Sequence, residues 1–364
     1  MEVFDQVLSF ISKPVSSSFE EIAFQIFRFQ FDGVPAYRRF CEERGGDPSS
    51  VRSVDEIPAV ASVAFKYADL SLMSDAIDRN AITFLTSGTT AGANRRGHHL
   101  VPRPSIYRAS AITHLRTMLY PDRMKTAMLA MHPLPAVMPE SSLSTMIGWA
   151  IEEFGTGKTF AAASRDRVDV SGAVQFLLDT TALTEPVSIL GTTAALSSLF
   201  DLLRARSERI HLATGSRIMD TGGAKGQAVP LTPAESIRTA GDLLGVAPEV
   251  IVNEYGMTEL CSQLYDATPF NTPGASSRAE RFKIAPPWMR VIARDPVTLK
   301  PVPDGAAGLL AFFDFANVGS VSSVMTEDIG IVENHRVRVI GRSSAASARG
   351  CALAIGQFAA AAGR

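Results

Sequence analysis

The sequence has few cysteines, no long apolar run and no surplus of charge of either sign. Three cysteines, Cys41, Cys261 and Cys351, lie far apart in 364 residues and form no Cys-x-x-Cys pair. This spacing argues against a disulfide framework and against a zinc ribbon. Lys and Arg total 35 and Asp and Glu total 37, so the net charge is −2. Because nucleic-acid binders usually carry a basic surplus, we expect no nucleic-acid partner.

Membrane and export signals are also missing from the sequence. No stretch approaches the roughly 18 uninterrupted apolar residues of a membrane span, so no membrane partner is expected. The opening residues, Met1 to Asp5, lack the basic segment that begins a signal peptide. The expected location is therefore the cytoplasm, where free thiols stay reduced. Hydrophobic residues make up 46% of the chain, enough at this length for a sizeable core.

Strand-like and helix-like stretches alternate through the middle of the chain. Thr126–Met131 and Val187–Leu190 are predicted strands, and Ser142–Phe154 and Thr232–Leu244 are predicted helices. This alternation is typical of an α/β fold with buried, largely parallel strands. Residues 19–44, ahead of this region, are predicted to form two helices.

After about residue 285 the pattern changes to short strands separated by Pro, Gly and Asn turns. Such a pattern predicts an antiparallel sheet or small barrel. We therefore predict an α/β body in residues 1–285, a β subdomain in 286–340 and a short C-terminal segment in 341–364.

Two motifs follow predicted strands. The first, Thr86–Gly92, is a loop of Ser, Thr and Gly whose hydroxyls and N–H groups could donate to phosphate oxygens; its other interpretation is a plain turn. The second, Asn253–Glu259, offers an aromatic ring, a hydroxyl and a carboxylate where an α/β sheet binds ligands. Alternatively, Thr258 and Glu259 simply begin a helix.

Together, the two motifs resemble the adenylate-forming superfamily of acyl-CoA synthetases, peptide-synthetase adenylation domains and luciferases. The segments Gly308–Asn317, Thr326–Gly330 and Arg349–Leu353 are similar to its acyl-protein synthetase branch. That branch is named for the long-chain fatty acid–luciferin-component ligase of bacterial bioluminescence. It also includes relatives that activate small acids in antibiotic pathways, among them a phenazine pathway.

The resemblance implies the fold of the N-terminal domain of these ligases, ATP and Mg²⁺ as cofactors, and roles for individual residues. Thr258 contacts the α-phosphate, Glu259 holds Mg²⁺, Tyr255 stacks on adenine, and Asp328 binds the ribose with Arg342 nearby. For Asp328, a turn acid is the structural alternative. The implied ATP-binding set is Thr86, Ser87, Gly88, Thr89, Thr90, Gly92, Gly222, Gly223, Tyr255, Gly256, Thr258, Asp328 and Arg342.

The sequence departs from the superfamily near its end. Most members carry a C-terminal lysine that supports adenylation, whereas the last lysine here is Lys300. The usual aspartate after Gly-Arg is also replaced, because Ser343 follows Arg342. This predicts a truncated C-terminal lid. Lys225 is a candidate for the missing charge, and a surface lysine is the alternative.

Cys351 is a candidate acyl acceptor, because a cysteine near the C-terminus has that role in the bioluminescence enzymes. Arg349 beside it would favour the thiolate. The alternative is a small buried apolar residue. Cys41 and Cys261 are expected in the core. Candidate walls of the acid pocket are Ser142, Trp149, Gly191, Thr192, Thr193 and Gly223.

We therefore expect an ATP-dependent carboxylate-activating ligase with Thr258, Glu259, Lys225 and Cys351 as its catalytic residues. The acyl group would pass to a thiol, either that of Cys351 or a partner's; a reductase, a carrier protein, CoA or an amine are possible acceptors. One alternative is adenylation of an aromatic or other small acid in natural-product biosynthesis. The other is a non-catalytic nucleotide- or acyl-binding protein.

Overall fold

The computed structural model describes residues 2–15, 18–72, 79–86, 96–222, 231–275 and 281–342. Its α-helices are α1 (Glu2–Ser12), α2 (Phe19–Gly33), α3 (Pro35–Glu43), α4 (Pro104–Leu119), α5 (Ser142–Phe154), α6 (Val170–Ala182), α7 (Thr193–Ala205) and α8 (Pro233–Leu244). Its strands are β1 (Val60–Ala61), β2 (Ile82–Leu85), β3 (His98–Val101), β4 (Thr126–Met131), β5 (Gly155–Ala161), β6 (Val187–Thr192), β7 (Arg217–Thr221), β8 (Ile251–Tyr255), β9 (Leu264–Asp266), β10 (Lys283–Ile284), β11 (Met289–Arg294), β12 (Ala307–Asp314), β13 (Ser323–Glu333) and β14 (Arg336–Arg342).

The chain forms two compact units, each assembled from separate segments. Unit one comprises residues 1–111, 257–263 and 284–364, and unit two comprises residues 112–256 and 264–283. Within the described residues, no helix is both long and apolar enough to cross a membrane.

Unit two is built on a parallel sheet in the order β5-β4-β6-β7-β8, and β9 pairs antiparallel with β8. The central strands β4 and β6 are buried almost without alternation, as expected for a sheet covered on both faces. Their side chains pack with helices α6, α7 and α8 in one core that includes Leu129, Ile189, Leu199 and Leu243. Helix α8 begins at a reciprocal capping box between Thr232 and Glu235 and ends at Gly245, whose φ is 66°.

Unit one contains an antiparallel sheet in the order β11-β12-β13-β14, and the short strand β1 pairs parallel with β13. A separate hairpin is formed by β2 and β3. Strand β12 is buried along most of its length. A small core joins Ile292, Leu309, Ala311 and Met325.

The buried amide of Gln30 ties helix α2 to the later part of unit one. Its Nε2 donates to the Asn317 carbonyl at 3.0 Å and to Ser322 Oγ at 2.9 Å, and its Oε1 accepts from the Ser322 N–H at 3.0 Å. Every polar atom of the amide is therefore satisfied in a site that is 1% exposed. These bonds fix α2 against residues almost three hundred positions later in the chain.

The predicted fold class is confirmed: the protein is α/β, with a parallel sheet in the middle of the chain and antiparallel strands after residue 285. Helix Ser142–Phe154 and strand Thr126–Met131 have the predicted bounds. The division into residues 1–285, 286–340 and 341–364 stays a prediction.

Candidate functional site

The base of the Ser/Thr/Gly loop is closed by two hydrogen bonds between Thr86 and Gly97 in unit one. The Thr86 N–H donates to the Gly97 carbonyl at 2.9 Å, and the Gly97 N–H donates to Thr86 Oγ1 at 2.8 Å. Arg96 Nε donates to the Thr86 carbonyl at 3.0 Å. A Cβ on Gly97 would lie 3.0 Å from the Phe65 backbone, closer than ordinary van der Waals contact, so this close approach favours glycine. Ser87, Gly88, Thr89, Thr90 and Gly92 lie outside the described residues.

The segment Thr258–Ser262, also in unit one, is held by side chains on both sides of its backbone. His99 Nδ1 lies 2.6 Å from the Thr258 carbonyl oxygen, and Asn317 Nδ2 donates to the Glu259 carbonyl at 2.7 Å. Asp314 accepts from the Cys261 N–H at 2.9 Å and from Ser262 Oγ at 2.6 Å. The positions of Thr258 and Glu259 are therefore set by a buried hydrogen-bonded network.

Burial shifts the pKa values of two side chains that hold this segment, Asp314 and His99, in opposite directions. Desolvation raises the pKa of Asp314 to about 6, against the opposing effect of its donors Ser262 and Ala316. Desolvation lowers the pKa of His99 to about 4, although its bond to the Thr258 carbonyl opposes the shift. The His99 ring is therefore neutral near pH 7.

Asp328 and Arg342 face each other across neighbouring strands of unit one. They are paired in the register of β13 and β14, and Arg342 Nε lies 3.5 Å from Asp328 Oδ1. The Asp328 N–H donates to Thr326 Oγ1 at 3.0 Å. Asp328 keeps 18% of its side chain exposed and Arg342 keeps 63%. Both charged groups are therefore reachable by a ligand.

The carboxyl edge of the parallel sheet in unit two holds three further candidates, namely Thr192, Gly222 and Tyr255. Thr192 pairs with Thr221, and Thr221 pairs with Glu254. Gly222 and Tyr255 directly follow these strand positions. This edge is where open α/β sheets bind ligands.

Thr193, a candidate wall of the acid pocket, holds the turn after β7. Its hydroxyl lies 2.8 Å from the Gly222 carbonyl and 3.0 Å from Asp220 Oδ2. Gly222 has a φ of 76°, a conformation that favours glycine.

A buried polar cluster lies under this edge. Asn253 Nδ2 donates to Asp220 Oδ1 at 3.0 Å, and Lys283 Nζ donates to Asn253 Oδ1 at 2.7 Å and to Asp266 Oδ1 at 2.9 Å. Burial raises the pKa of Asp220. The cluster fixes the ends of β7 and β8 through paired rather than isolated charges.

The candidate acid-pocket residues of unit two are partly placed by the structure. Ser142 and Trp149 lie on α5, both half-buried. A Cβ on Gly191 would lie 2.6 Å from Met131 Cβ, so close contact between β6 and β4 needs this glycine. His132 Nε2 lies 3.4 Å from Oγ of Ser141, which caps α5. This contact gives His132 a structural role.

A family model described as "Acyl-protein synthetase, LuxE" matches residues 8–359. The chain belongs to the acyl-protein synthetase family. The long-chain-fatty-acid–luciferin-component ligase of Aliivibrio fischeri is 24% identical over 370 residues, which cover 96% of this chain and 92% of the relative. The ligase of the same name from Vibrio harveyi is 30% identical over 118 residues, covering 30% of this chain and 28% of the relative.

Solved structures establish that this acyl-protein synthetase has the fold of adenylate-forming ligases. A 2-hydroxyisobutyryl-CoA ligase in complex with 2-HIB-AMP has a TM-score of 0.63 and 15% identity, covering 91% of this chain and 71% of that one. The same ligase with 2-HIB-AMP and CoA gives 0.64 and 15% over 90% and 69%. ATP-bound MatB from Rhodopseudomonas palustris gives 0.50 and 17% over 71% and 47%. The family match makes the protein an adenylate-forming ligase that activates a carboxylic acid with ATP.

Two cysteines of this acyl-protein synthetase are buried, as expected from the sequence. Cys41 is 0% exposed and Cys261 is 2% exposed, and both thiols are free. Desolvation raises the pKa of Cys41 to about 12 and that of Cys261 well above its ordinary value. Both therefore remain thiols near neutral pH. Gly223, Lys225 and Cys351 lie outside the described residues.

Glu254 of the acyl-protein synthetase is a buried acid that sequence reasoning left without a role. Thr221 Oγ1 donates to it, and burial raises its pKa to about 7. The folded protein thus binds this proton more tightly than the unfolded chain. The free energy of unfolding should fall as the pH rises from about 4.5 to about 7, by at most about 3 kcal/mol from this group.

The change Glu254→Gln should reduce the decrease in the free energy of unfolding as the pH rises, because an amide does not titrate and still accepts from Thr221. Urea unfolding of both proteins at pH 5 and pH 8 measures the effect. Glu43→Gln, at an exposed position on α3, is the matched control. An equal pH dependence in all three proteins would contradict the raised pKa.

Proposed function

We propose that the protein forms an acyl-adenylate and then passes the acyl group to a thiol, in the first instance that of Cys351. In the first step a carboxylate oxygen attacks the α-phosphorus of ATP, the bond to the β-phosphate oxygen breaks, and pyrophosphate leaves with the bonding electrons. In the second step a thiolate attacks the acyl carbon and AMP leaves, which gives a thioester. Because protein groups form no bond in the first step, positioning and charge neutralisation supply most of its catalysis.

The observation that carries the proposal is a hydrogen-bonded frame within unit one that links the start of the first motif, Thr86, to the end of the second motif, Thr258. Gly97, which bonds Thr86, directly precedes strand β3, and His99 of that strand contacts the Thr258 carbonyl. In this proposal Thr86 and the loop bind the β- and γ-phosphates, and Thr258 contacts the α-phosphate. Asp328 binds the ribose hydroxyls, with Arg342 beside it. In the same proposal, Gly222, Gly223, Tyr255 and Gly256 bind the nucleotide, and Ser142, Trp149, Gly191 and Thr192 are candidate walls of the acid pocket.

Glu259 suits Mg²⁺ as a single protein ligand. Among the described residues, no group of three or more His, Cys, Asp or Glu side chains could hold a metal ion by itself. Mg²⁺ is commonly bound by one or two carboxylates together with substrate phosphates and water. Glu259 is 9% exposed and its backbone is fixed by Asn317. It would hold the ion, which supplies neutralisation of phosphate charge.

We propose Lys225 as a lysine that supports adenylation. Residues 301–364 contain no lysine. Lys225 lies two residues after Gly223 in the sequence, next to the proposed nucleotide-binding glycines. We propose that its ammonium group neutralises charge at the α-phosphate.

The state of the other cysteines supports Cys351 as the acceptor. The chain has three cysteines, and two of them, Cys41 and Cys261, are buried with pKa values raised by desolvation. Because the thiolate is the nucleophile, neither suits acyl transfer. An internal thiol acceptor would therefore be Cys351.

ATP–pyrophosphate exchange tests the adenylation step. We expect exchange that requires both Mg²⁺ and a carboxylic acid, measured across fatty, aryl and small hydroxy acids. Glu259→Gln should lower the exchange rate, and Glu249→Gln, remote from the proposed contacts, should not. Nucleotide binding without exchange for any acid would contradict the proposal and favour a binding protein. Exchange only with aryl or other small acids would favour the natural-product branch.

A further inference from the structure

His99 occupies a buried position on β3 that its neighbour does not share. Successive residues on a strand face opposite sides, so His98 is exposed whereas His99 is 1% exposed. The His99 ring packs edge-on against Phe65, with ring centroids 5.4 Å apart. Its Nδ1 reaches the carbonyl of Thr258, 159 residues later in the chain.

The direction of this hydrogen bond follows from its acceptor. A carbonyl oxygen can only accept, so the proton must lie on Nδ1 of His99. The distance of 2.6 Å is short for an N–H···O bond. Desolvation keeps the ring neutral near pH 7, so His99 acts as a neutral donor.

The bond joins two segments that have separate proposed roles. Two residues before His99, Gly97 closes the base of the Ser/Thr/Gly loop against Thr86. At the other end of the bond, Thr258 and Glu259 are the proposed contacts to the α-phosphate and Mg²⁺. We propose that His99 is a positioning residue, whose Nδ1–H fixes the Thr258–Glu259 pair relative to β3 and the Thr86–Gly97 contact.

Position matters strongly at such a site. In-line attack on the α-phosphorus needs the phosphate held in one orientation, and a misplacement of about 1 Å can cost about 100-fold in rate. Asn317, in the turn that follows β12, fixes the Glu259 carbonyl. His99 couples the neighbouring Thr258 carbonyl to β3. The coupling between β3 and Thr258 rests on the structure alone. The effect of that coupling on catalysis rests on the proposed function.

Three variants test it. His99→Leu removes the donor at similar volume, and His99→Asn restores an amide donor near the Nδ1 position. His98→Asn is the matched control on the exposed side of the same strand. In ATP–pyrophosphate exchange, we expect His99→Leu to lower kcat on the order of 10- to 100-fold while the KM for ATP changes less than about 3-fold. His99→Asn should recover most of the rate, and His98→Asn should match the wild type.

Amide hydrogen exchange of the peptide spanning residues 257–263 gives a second readout that needs no activity. It should speed up in His99→Leu, return towards wild type in His99→Asn and stay unchanged in His98→Asn. An unaltered exchange pattern in His99→Leu would overturn the coupling, even if the wild type proved inactive. Equal loss of kcat in His99→Leu and His99→Asn, with unchanged melting temperatures, would overturn the donor role.

Discussion

Incubation with ATP, Mg²⁺ and the correct acid is expected to add one acyl group to the protein, and Cys351→Ser is expected to abolish that thioester. A thiol at its ordinary pKa is partly thiolate near neutrality and strongly nucleophilic, whereas a serine hydroxyl is not activated without a base. The variant should keep full pyrophosphate exchange, because activation precedes transfer. Intact-mass measurement before and after hydroxylamine, which cleaves thioesters, gives the result.

The matched control for Cys351→Ser is Cys261→Ala. Its thiol is buried, and burial raises its pKa well above the ordinary value, so this change should leave the adduct in place. An adduct that maps to Cys41 or Cys261 would contradict the assignment. Brisk exchange without any adduct would show that the acyl group passes directly to an external acceptor.

Asp328→Ala is expected to weaken ATP binding about 10- to 150-fold. Hydrogen bonds from a carboxylate to ribose hydroxyls are charge-assisted, and their loss costs about 1.5–3 kcal/mol. The change also removes the partner of Arg342, which lies 3.5 Å away. Titration calorimetry with a non-hydrolysable ATP analogue measures the affinity.

Two further variants separate the contributions around Asp328. Arg342→Ala should have a smaller effect if Asp328 itself contacts the ribose, because Arg342 then acts only as its neighbour. Asp304→Ala removes an exposed carboxylate of the same unit and should leave ATP affinity unchanged. Wild-type affinity in a folded Asp328→Ala variant would exclude Asp328 from the nucleotide site.

Local signals explain why some elements could be predicted from the sequence. Helix α5 has the predicted bounds because Ser141 caps its start and Gly155 follows its end. Strand β5 was missed, since Gly155–Ala161 contains two glycines and no apolar alternation. Its strand conformation depends on parallel pairing with β4, a contact that no local pattern encodes. Tertiary pairing therefore overrides weak propensity here.

Local sequence signals likewise identify only part of the candidate site. Thr258 and Glu259 belong to a recognisable motif, so the sequence identifies them. His99 belongs to no motif, because it acts on a backbone carbonyl that only folding brings close. Every residue carries a backbone carbonyl, so no residue type in the sequence marks the one that a histidine will bond.

The bonds made by Gln30 have a consequence for synthesis of the chain. Its partners around Asn317 and Ser322 emerge from the ribosome almost three hundred residues later. At a synthesis rate of about 5–20 residues per second, these partners are made about 15–60 s after helix α2. Unit two, by contrast, is composed of residues 112–256 and 264–283 and contains no residue of the N-terminal hundred. The middle of this protein can therefore fold first, while its earliest helices keep apolar surface available to chaperones until translation is nearly complete.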